Sequence, residues 1–210
     1  MVGCNFMLEL KTFKGGFDSN FCYILFDNKS KDAAIIDTSI NPDLLLNFIK
    51  NNNLKLNFVI ILHSHFDHLV GYEFYKENNI PIYAHESFKQ EVTKKLKHKE
   101  KISLGNSKLK ILHTPGHIYD CICILAENKL FTSDTLFIDS CGRCDLQGAN
   151  IEHMYKSLYH LILKLPEDII IYPGHDYGNK PFATLKEQKQ TNFYLQAKNK
   201  ENFFKTRMNL

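Results

Sequence analysis

The chain has 210 residues, with 26 Lys and Arg against 23 Asp and Glu and a formal net charge of +3. That length supports one self-standing core, and so slight and dispersed a basicity excludes the concentrated positive face that nucleic-acid binding needs. No run of 18 apolar residues occurs to span a membrane and the N-terminus carries no charged-then-apolar leader, so a cytoplasmic protein with six reduced cysteines is expected.

In chain order, apolar runs predict strands at Leu8 to Thr12, Phe21 to Phe26 and Ala33 to Ile36. Asn41-Pro42 supplies a cap and a first-turn proline for a helix carrying Leu44, Leu45, Leu46, Phe48 and Ile49. A buried strand follows at Phe58 to Leu62. A short helix is read at Tyr72 to Asn78, a strand at Pro81 to Ala84, and an amphipathic helix at Glu86 to Lys97. Strands at 108–112, 121–125 and 129–132 precede a helix from Ile151 to Leu163, a strand at 169–172 and a last helix from Leu185 to Lys198. Two successive blocks of strands and helices predict an α/β chain folded as a four-layer αββα sandwich. One domain over residues 1–210 is expected, ending in a short C-terminal helical tail.

Four strand ends carry the chemistry. His63-Ser64-His65-Phe66-Asp67-His68 follows the strand at 58–62 and places three of the chain's 10 histidines in one hexapeptide. Four such polar side chains are costly to bury together unless something binds them, and imidazole with carboxylate suits Zn²⁺, Fe or Mn²⁺. Thr114-Pro115-Gly116-His117, Ser133-Asp134-Thr135 and Pro173-Gly174-His175-Asp176-Tyr177-Gly178 each end another apolar strand. His63, His65, Asp67, His68, His117, Asp134 and His175 therefore make seven candidate ligands on four loops. That number is enough for two metals sharing one carboxylate and one water. Asp37, ending the strand Ala34-Ile35-Ile36, either orients a ligand histidine from behind or caps a turn.

Other motifs are less telling. Five lysines between Lys94 and Lys101 read as a solvated helix end and turn, because no aromatic residues interleave for base stacking. Cys121 and Cys123 share one strand face. Cys141 and Cys144 have CxxC spacing without a second pair to complete a zinc ribbon, so they read as core or loop thiols.

The set HSHFDH, TPGH, SDT and PGHDYG resembles the metallo-β-lactamase superfamily over nearly the whole chain, from about Met7 to Leu195. Within it, Cys141-Gly142-Arg143-Cys144-Asp145 with Pro173 to Gly178 resembles the branch of glyoxalase II-type thioester hydrolases and persulfide dioxygenases. The resemblance implies that His63, His65 and His117 hold one metal, that Asp67, His68 and His175 hold the other, and that Asp134 bridges them. Two Zn²⁺, or Fe or Mn, per chain would then activate a water for hydrolysis of a small-molecule thioester, with Asp67 and Asp134 as the catalytic carboxylates. In a persulfide dioxygenase one Fe(II) would instead sit on His63, His117 and Asp134. Arg143, one of only two arginines, and Tyr177 are the candidate substrate-binding residues, with a structural Arg143–Asp145 pair as the other reading of Arg143. Relatives of glyoxalase II type use a longer helical C-terminal segment for cationic contacts, and only 32 residues follow Gly178 here. Lys198, Lys200, Lys205 and Arg207 stand in the corresponding tail, which reads as solvated. Neither nucleic acid nor membrane is expected as a partner, and a homodimer is compatible with the sequence.

Overall fold

The computed structural model describes residues 7–208. Cys4 and the two ends of the expected 1–210 domain lie outside them. Six strands form the first sheet: β1 (Leu8–Gly15), β2 (Asn20–Asp27), β3 (Asp32–Ile36), β4 (Lys55–Ile60), β5 (Ile82–His85) and β6 (Lys94–Leu96), in that spatial order. β1 to β3 run antiparallel, and β3 to β6 run parallel. The parallel crossovers carry α1 (Pro42–Asn51) and α2 (Tyr72–Glu77). The second sheet takes β7 (Lys101–Leu104), β8 (Ser107–His113), β9 (Ile122–Ala126), β10 (Lys129–Ser133), β13 (Ile170–Pro173) and β14 (Ala183–Thr184). A small hairpin, β11 (Leu136–Phe137) and β12 (Ser140–Cys141), follows β10.

The two-residue period of a strand explains the layering. Phe21, Tyr23 and Leu25 of β2 point between the sheets and meet Leu109, Ile111, Ile124 and Phe131 of the second sheet. Their neighbours Cys22, Ile24 and Phe26 point the other way, against Leu45 and Ile49 of α1 and Tyr75 of α2. On the far side, Leu130 and Ile171 pack under α3 (Ile151–Tyr155), α4 (Leu185–Thr191) and α5 (Lys200–Met208). Helix, sheet, sheet, helix is the expected four-layer order. Asn41 caps α1, its side chain accepting from the Asp43 N–H. The five described cysteines are buried free thiols.

Three expectations fail for identifiable reasons. No helix spans Glu86 to Lys97; residues 86–93 are irregular and Lys94–Leu96 is the edge strand β6. Phe88, Val92 and Leu96 are spaced four apart and imitate a helical stripe, whereas the chain buries Phe88 and Leu96 from a strand and its approach. Lysines at 94, 95 and 97 suit an edge that must not pair with another chain. The helix from Leu185 stops at Thr191, because Asn192 turns inward, donates to the Ser140 carbonyl and caps a 3₁₀ turn over Phe193–Leu195. The tail is not merely solvated. Phe203 of α5 is fully buried against Tyr155 and Tyr159, and Arg207 Nε donates to the Gly142 carbonyl at 2.8 Å.

A buried aromatic at the chain end makes α5 part of the fold. Phe203→Ala is expected to cost about 3–5 kcal/mol of stability. Urea unfolding followed by circular dichroism checks this; a variant as stable as the parent would show that α5 is only draped on the surface.

Candidate metal centre

All four ligand loops open at the same end of the two sheets, where backbone bonds pin one sheet to the other. Ile122 N–H donates to Leu62 O at 2.9 Å, Phe21 N–H donates to Gly174 O at 2.7 Å, and the Tyr23 hydroxyl donates to Pro173 O at 2.6 Å. β4 delivers His63 directly, and a 3₁₀ turn at Phe66–His68 folds Asp67 and His68 back over it. β8, β10 and β13 of the other sheet deliver His117, Asp134 and His175 by short loops.

The seven side chains converge. Ligand atoms of His63, His65 and His117 lie within 4.8 Å of one another, as do those of Asp67, His68 and His175. Asp134 stands between these trios. Its Oδ2 is 3.4 Å from His117 Nε2, and its Oδ1 is 3.3 Å from both His68 Nε2 and His175 Nε2. Each carboxylate oxygen thus faces a different trio.

Hydrogen bonds at the outer ring nitrogens fix which atoms face inward. His117 Nδ1–H donates to Arg143 O at 3.0 Å and His175 Nδ1–H to Asp18 O at 2.8 Å, since a carbonyl can only accept. His68 Nδ1–H donates to Asp37 Oδ2 at 2.6 Å. His63 Nδ1 lies 3.0 Å from Ser133 Oγ, which itself donates to Asp37 Oδ2 at 3.4 Å. In their neutral form, rings held this way direct the Nε2 lone pair into the cluster. His68 Nε2 and His175 Nε2 then face each other at 3.1 Å, and His117 Nε2 faces His65 Nδ1 at 2.8 Å. Two lone pairs at that distance repel unless a positive charge lies between them. Nitrogens on one tetrahedral zinc stand about 3.3–3.4 Å apart, given Zn–N near 2.0–2.1 Å. His63 Nε2 and Asp134 Oδ1 are buried and without a hydrogen-bond partner. The donor set, its spacing and its two orphaned atoms fit a pair of divalent cations.

The charges agree. Burial lowers the pKa of His63, reinforced by His68, and burial with His117 pushes His65 down to about 4, so both stay neutral and able to ligate. Burial would raise Asp67, but bonds from His68 and Asn20 hold it at about 2. Burial likewise works against the ionised Asp134, and His68 and His175 nonetheless keep it well below the carboxylate range. Both carboxylates are anions at neutral pH.

Asp37 does both of the jobs open to it: Oδ2 orients His68 while Oδ1 accepts the Thr38 N–H at 2.9 Å. Asp37 and Ser133 each adopt a left-handed backbone, φ 69° and 44°, which non-glycine residues rarely enter. The Arg143 side chain is exposed and forms a two-pronged pair with Asp145 at 2.8 Å, while its backbone carbonyl does the work on His117. Gly142 beside it is obligatory, because a Cβ there would lie 1.9 Å from Asp134 O. Tyr177 stacks on His175 at 4.7 Å and donates its hydroxyl to Asp18 Oδ2 at 2.5 Å, with 48% of the residue exposed. Sequence reading passed over Asn20, whose amide donates to Asp67 Oδ2 at 2.9 Å, and over Asp18. The signal available was only their place at the entry to β2, Asp18 in the turn before it and Asn20 at its first position. Beside His65 opens a cleft of about 770 Å³, walled by Ser64, Lys89, Tyr119, Asp120 and Leu146.

No protein-family model matches the chain. The probable polyketide biosynthesis zinc-dependent hydrolase PksB of Bacillus subtilis is 31% identical over 200 residues, spanning 91% of this chain and 89% of that protein. A hydroxyacylglutathione hydrolase of Dictyostelium discoideum is 35% identical over 200 residues, spanning 86% of this chain and 74% of its own length. The crystal structure of ETHE1 from Myxococcus xanthus superposes with a TM-score of 0.90 at 26% identity, covering 96% of this chain and 90% of that one. The chain belongs to the metallo-β-lactamase superfamily, in the branch holding the hydroxyacylglutathione hydrolases and ETHE1. It is a metallo-hydrolase with a small-molecule substrate. No helix among the described residues is long and apolar enough to cross a membrane.

Because Asp37 reaches one histidine of each trio, Asp37→Asn removes its charge while tolerating the left-handed backbone. It is expected to weaken metal retention about 10- to 100-fold. Competition with a chromophoric chelator measures this; unchanged affinity would reduce Asp37 to a turn residue.

Proposed function

We propose that the chain is a thioester hydrolase of hydroxyacylglutathione hydrolase type. One observation carries the proposal: two complete ligand trios lie on either side of Asp134, with a different carboxylate oxygen facing each. In this reading His63, His65 and His117 hold one zinc, and Asp67, His68 and His175 hold the other. When bound, such a pair supplies Lewis acidity and brings the pKa of a water towards neutrality. Asp134 and Asp67, both ionised, would help hold the pair and would be the carboxylates beside it able to accept a proton. Tyr177, stacked on His175 and half exposed, borders the site and contacts the thiol portion of the substrate. A thiol has a pKa of about 8.5, so the leaving sulfur departs as thiolate without a strong acid beside it.

A persulfide dioxygenase, the reading favoured by the likeness to ETHE1, would use only His63, His117 and Asp134 for one iron. The intact second trio speaks for the hydrolase: Asp67 is held in place by Asn20, and His175 by Asp18.

Metal analysis joined to kinetics separates the two. Protein purified without added metal is expected to hold two metals per chain and to hydrolyse a hydroxyacylglutathione thioester. Asp67→Ala is expected to lose one metal and to slow hydrolysis by more than the roughly 10- to 100-fold that loss of an outer partner costs. A single iron retained in both parent and variant, with oxygen consumed on glutathione persulfide, would replace the hydrolase reading.

Tyr177→Phe removes one hydrogen bond beside the substrate. If that bond serves ground and transition states alike, KM rises roughly 2- to 13-fold at constant kcat. A fall in kcat alone would place Tyr177 in the chemistry instead.

A further inference from the structure

Five of the ten histidines belong to the metal centre. The other five are gathered as well, around a second hollow that the hydrolytic site leaves unused. It is an open surface hollow of about 500 Å³ lined by His98, Lys99, His113, His153, Lys156 and His160, among others, with no acidic side chain in its wall. The fifth histidine, His85, stacks on His113 at 3.9 Å.

The hollow is electropositive because the nearby acids are engaged elsewhere. Glu100 is held by Lys94 at 2.8 Å, and Glu152 by Lys200 at 2.5 Å. Among the described residues neither Lys99 nor Lys156 forms a close ion pair, although Glu152, held by Lys200, still acts on Lys156 from one helical turn away. The lysine run from Lys94 to Lys101 is therefore not uniform. Lys94 bonds Glu100 and Lys95 bonds the Phe88 carbonyl, whereas Lys99 faces the hollow. His98 accepts the His113 backbone N–H on Nδ1 at 3.0 Å, which leaves its ring proton on Nε2 as a donor. Burial, Lys99 and Lys110 all disfavour a second proton on that ring, a sign of the positive field it sits in.

Tyr119 joins this hollow to the chemistry. It lines the cleft beside His65, and its ring stands 5.3 Å from His113 and 6.2 Å from His153. The His113 ring donates to the Tyr119 carbonyl at 2.7 Å, so the partition between cleft and hollow is held in place. Tyr119 thus stands between the 770 Å³ cleft that reaches His65 and the basic hollow on its other side.

We propose that this hollow binds an anionic group, phosphate or carboxylate, at the far end of the substrate, with Lys99, Lys156 and His98 Nε2–H as its donors. The proposal rests on the thioester reading and specifies the substrate: one long enough to pass Tyr119 and charged at its distal end. A site that meets only this remote charge binds ground and transition states equally, so it acts on KM and leaves kcat alone.

The test uses one acyl group on three thiols: coenzyme A with its phosphates, glutathione with its carboxylates, and uncharged N-acetylcysteamine. Lys99→Ala/Lys156→Ala and Lys99→Glu/Lys156→Glu are compared with the parent and with Lys55→Ala, at the opposite end of β4 from the site. Losing two exposed charge contacts is expected to raise KM roughly two- to thirtyfold for one of the charged thioesters, more for the Glu pair, with kcat unchanged. That substrate's KM rises with ionic strength, and the N-acetylcysteamine thioester shows neither effect. Whichever charged thioester responds distinguishes phosphate from carboxylate. Equal KM changes for all three, or none for either charged substrate, would overturn the proposal. Calorimetric titration of uncleavable S-alkyl thioethers of coenzyme A and glutathione into parent and variants decides it without turnover. Weaker binding of one of them to the lysine variants supports the hollow even if no thioester is hydrolysed, an outcome that would sink the hydrolase reading alone. Binding unchanged in the variants removes the hollow while leaving hydrolysis intact.

Discussion

Asp37 is the carboxylate that stands behind both trios. One of its oxygens receives the His68 ring proton directly and the Ser133 hydroxyl, which in turn lies against the His63 ring. A buried anion in this position costs desolvation energy, and it is offset only because three donors converge on it. The dependence runs both ways. Asp37 fixes two imidazoles with their lone pairs inward; lone pairs so aimed require a cation, and a cation makes the inward arrangement the stable one. The left-handed backbone at Asp37 and Ser133 is the local distortion that lets two residues from different sheets meet on one axis.

The same end of the molecule shows why glycines recur there. Beyond Gly142, a Cβ on Gly174 would lie 2.5 Å from Asp134 Oδ1. The second-sheet loops are drawn so close to the Asp134 carboxylate that side chains are excluded on its flank. Arg207, reaching from the last helix to the Gly142 carbonyl, steadies the segment whose next carbonyl holds His117. The C-terminal helix therefore contributes to the position of His117, a side chain it is bonded to only through this segment.

Much of this was legible in the sequence, for physical reasons. Apolar runs of strand length, each ended by His or Asp, reveal both the sheets and the edge at which they are functional, because a strand's side-chain period and its exit point are local properties. What was not legible depended on distant partners. Phe88, Val92 and Leu96 match a helical stripe as well as they match an irregular approach to an edge strand, and only pairing with β5 decides between them. Asn192 reads as one more helix-tail polar residue until the Ser140 carbonyl, 52 positions away, accepts its amide. Two of the four outer partners of the histidines are backbone carbonyls, Arg143 O and Asp18 O, and a carbonyl leaves no mark on a residue's identity.

The spread of the ligands along the chain has a consequence for how the protein is made. His63, His65, Asp67 and His68 emerge early and already adjacent, on a loop whose imidazoles attract transition metals without the geometry to retain them. Neither trio closes until the second sheet is complete, since one lacks His117 and the other lacks His175. With the cation pair proposed here, tight binding would require both the Pro173-Gly174-His175 turn and the docked second sheet to be in place. Metal retention would then report that the two sheets have docked, since the early hexapeptide alone holds only part of either trio.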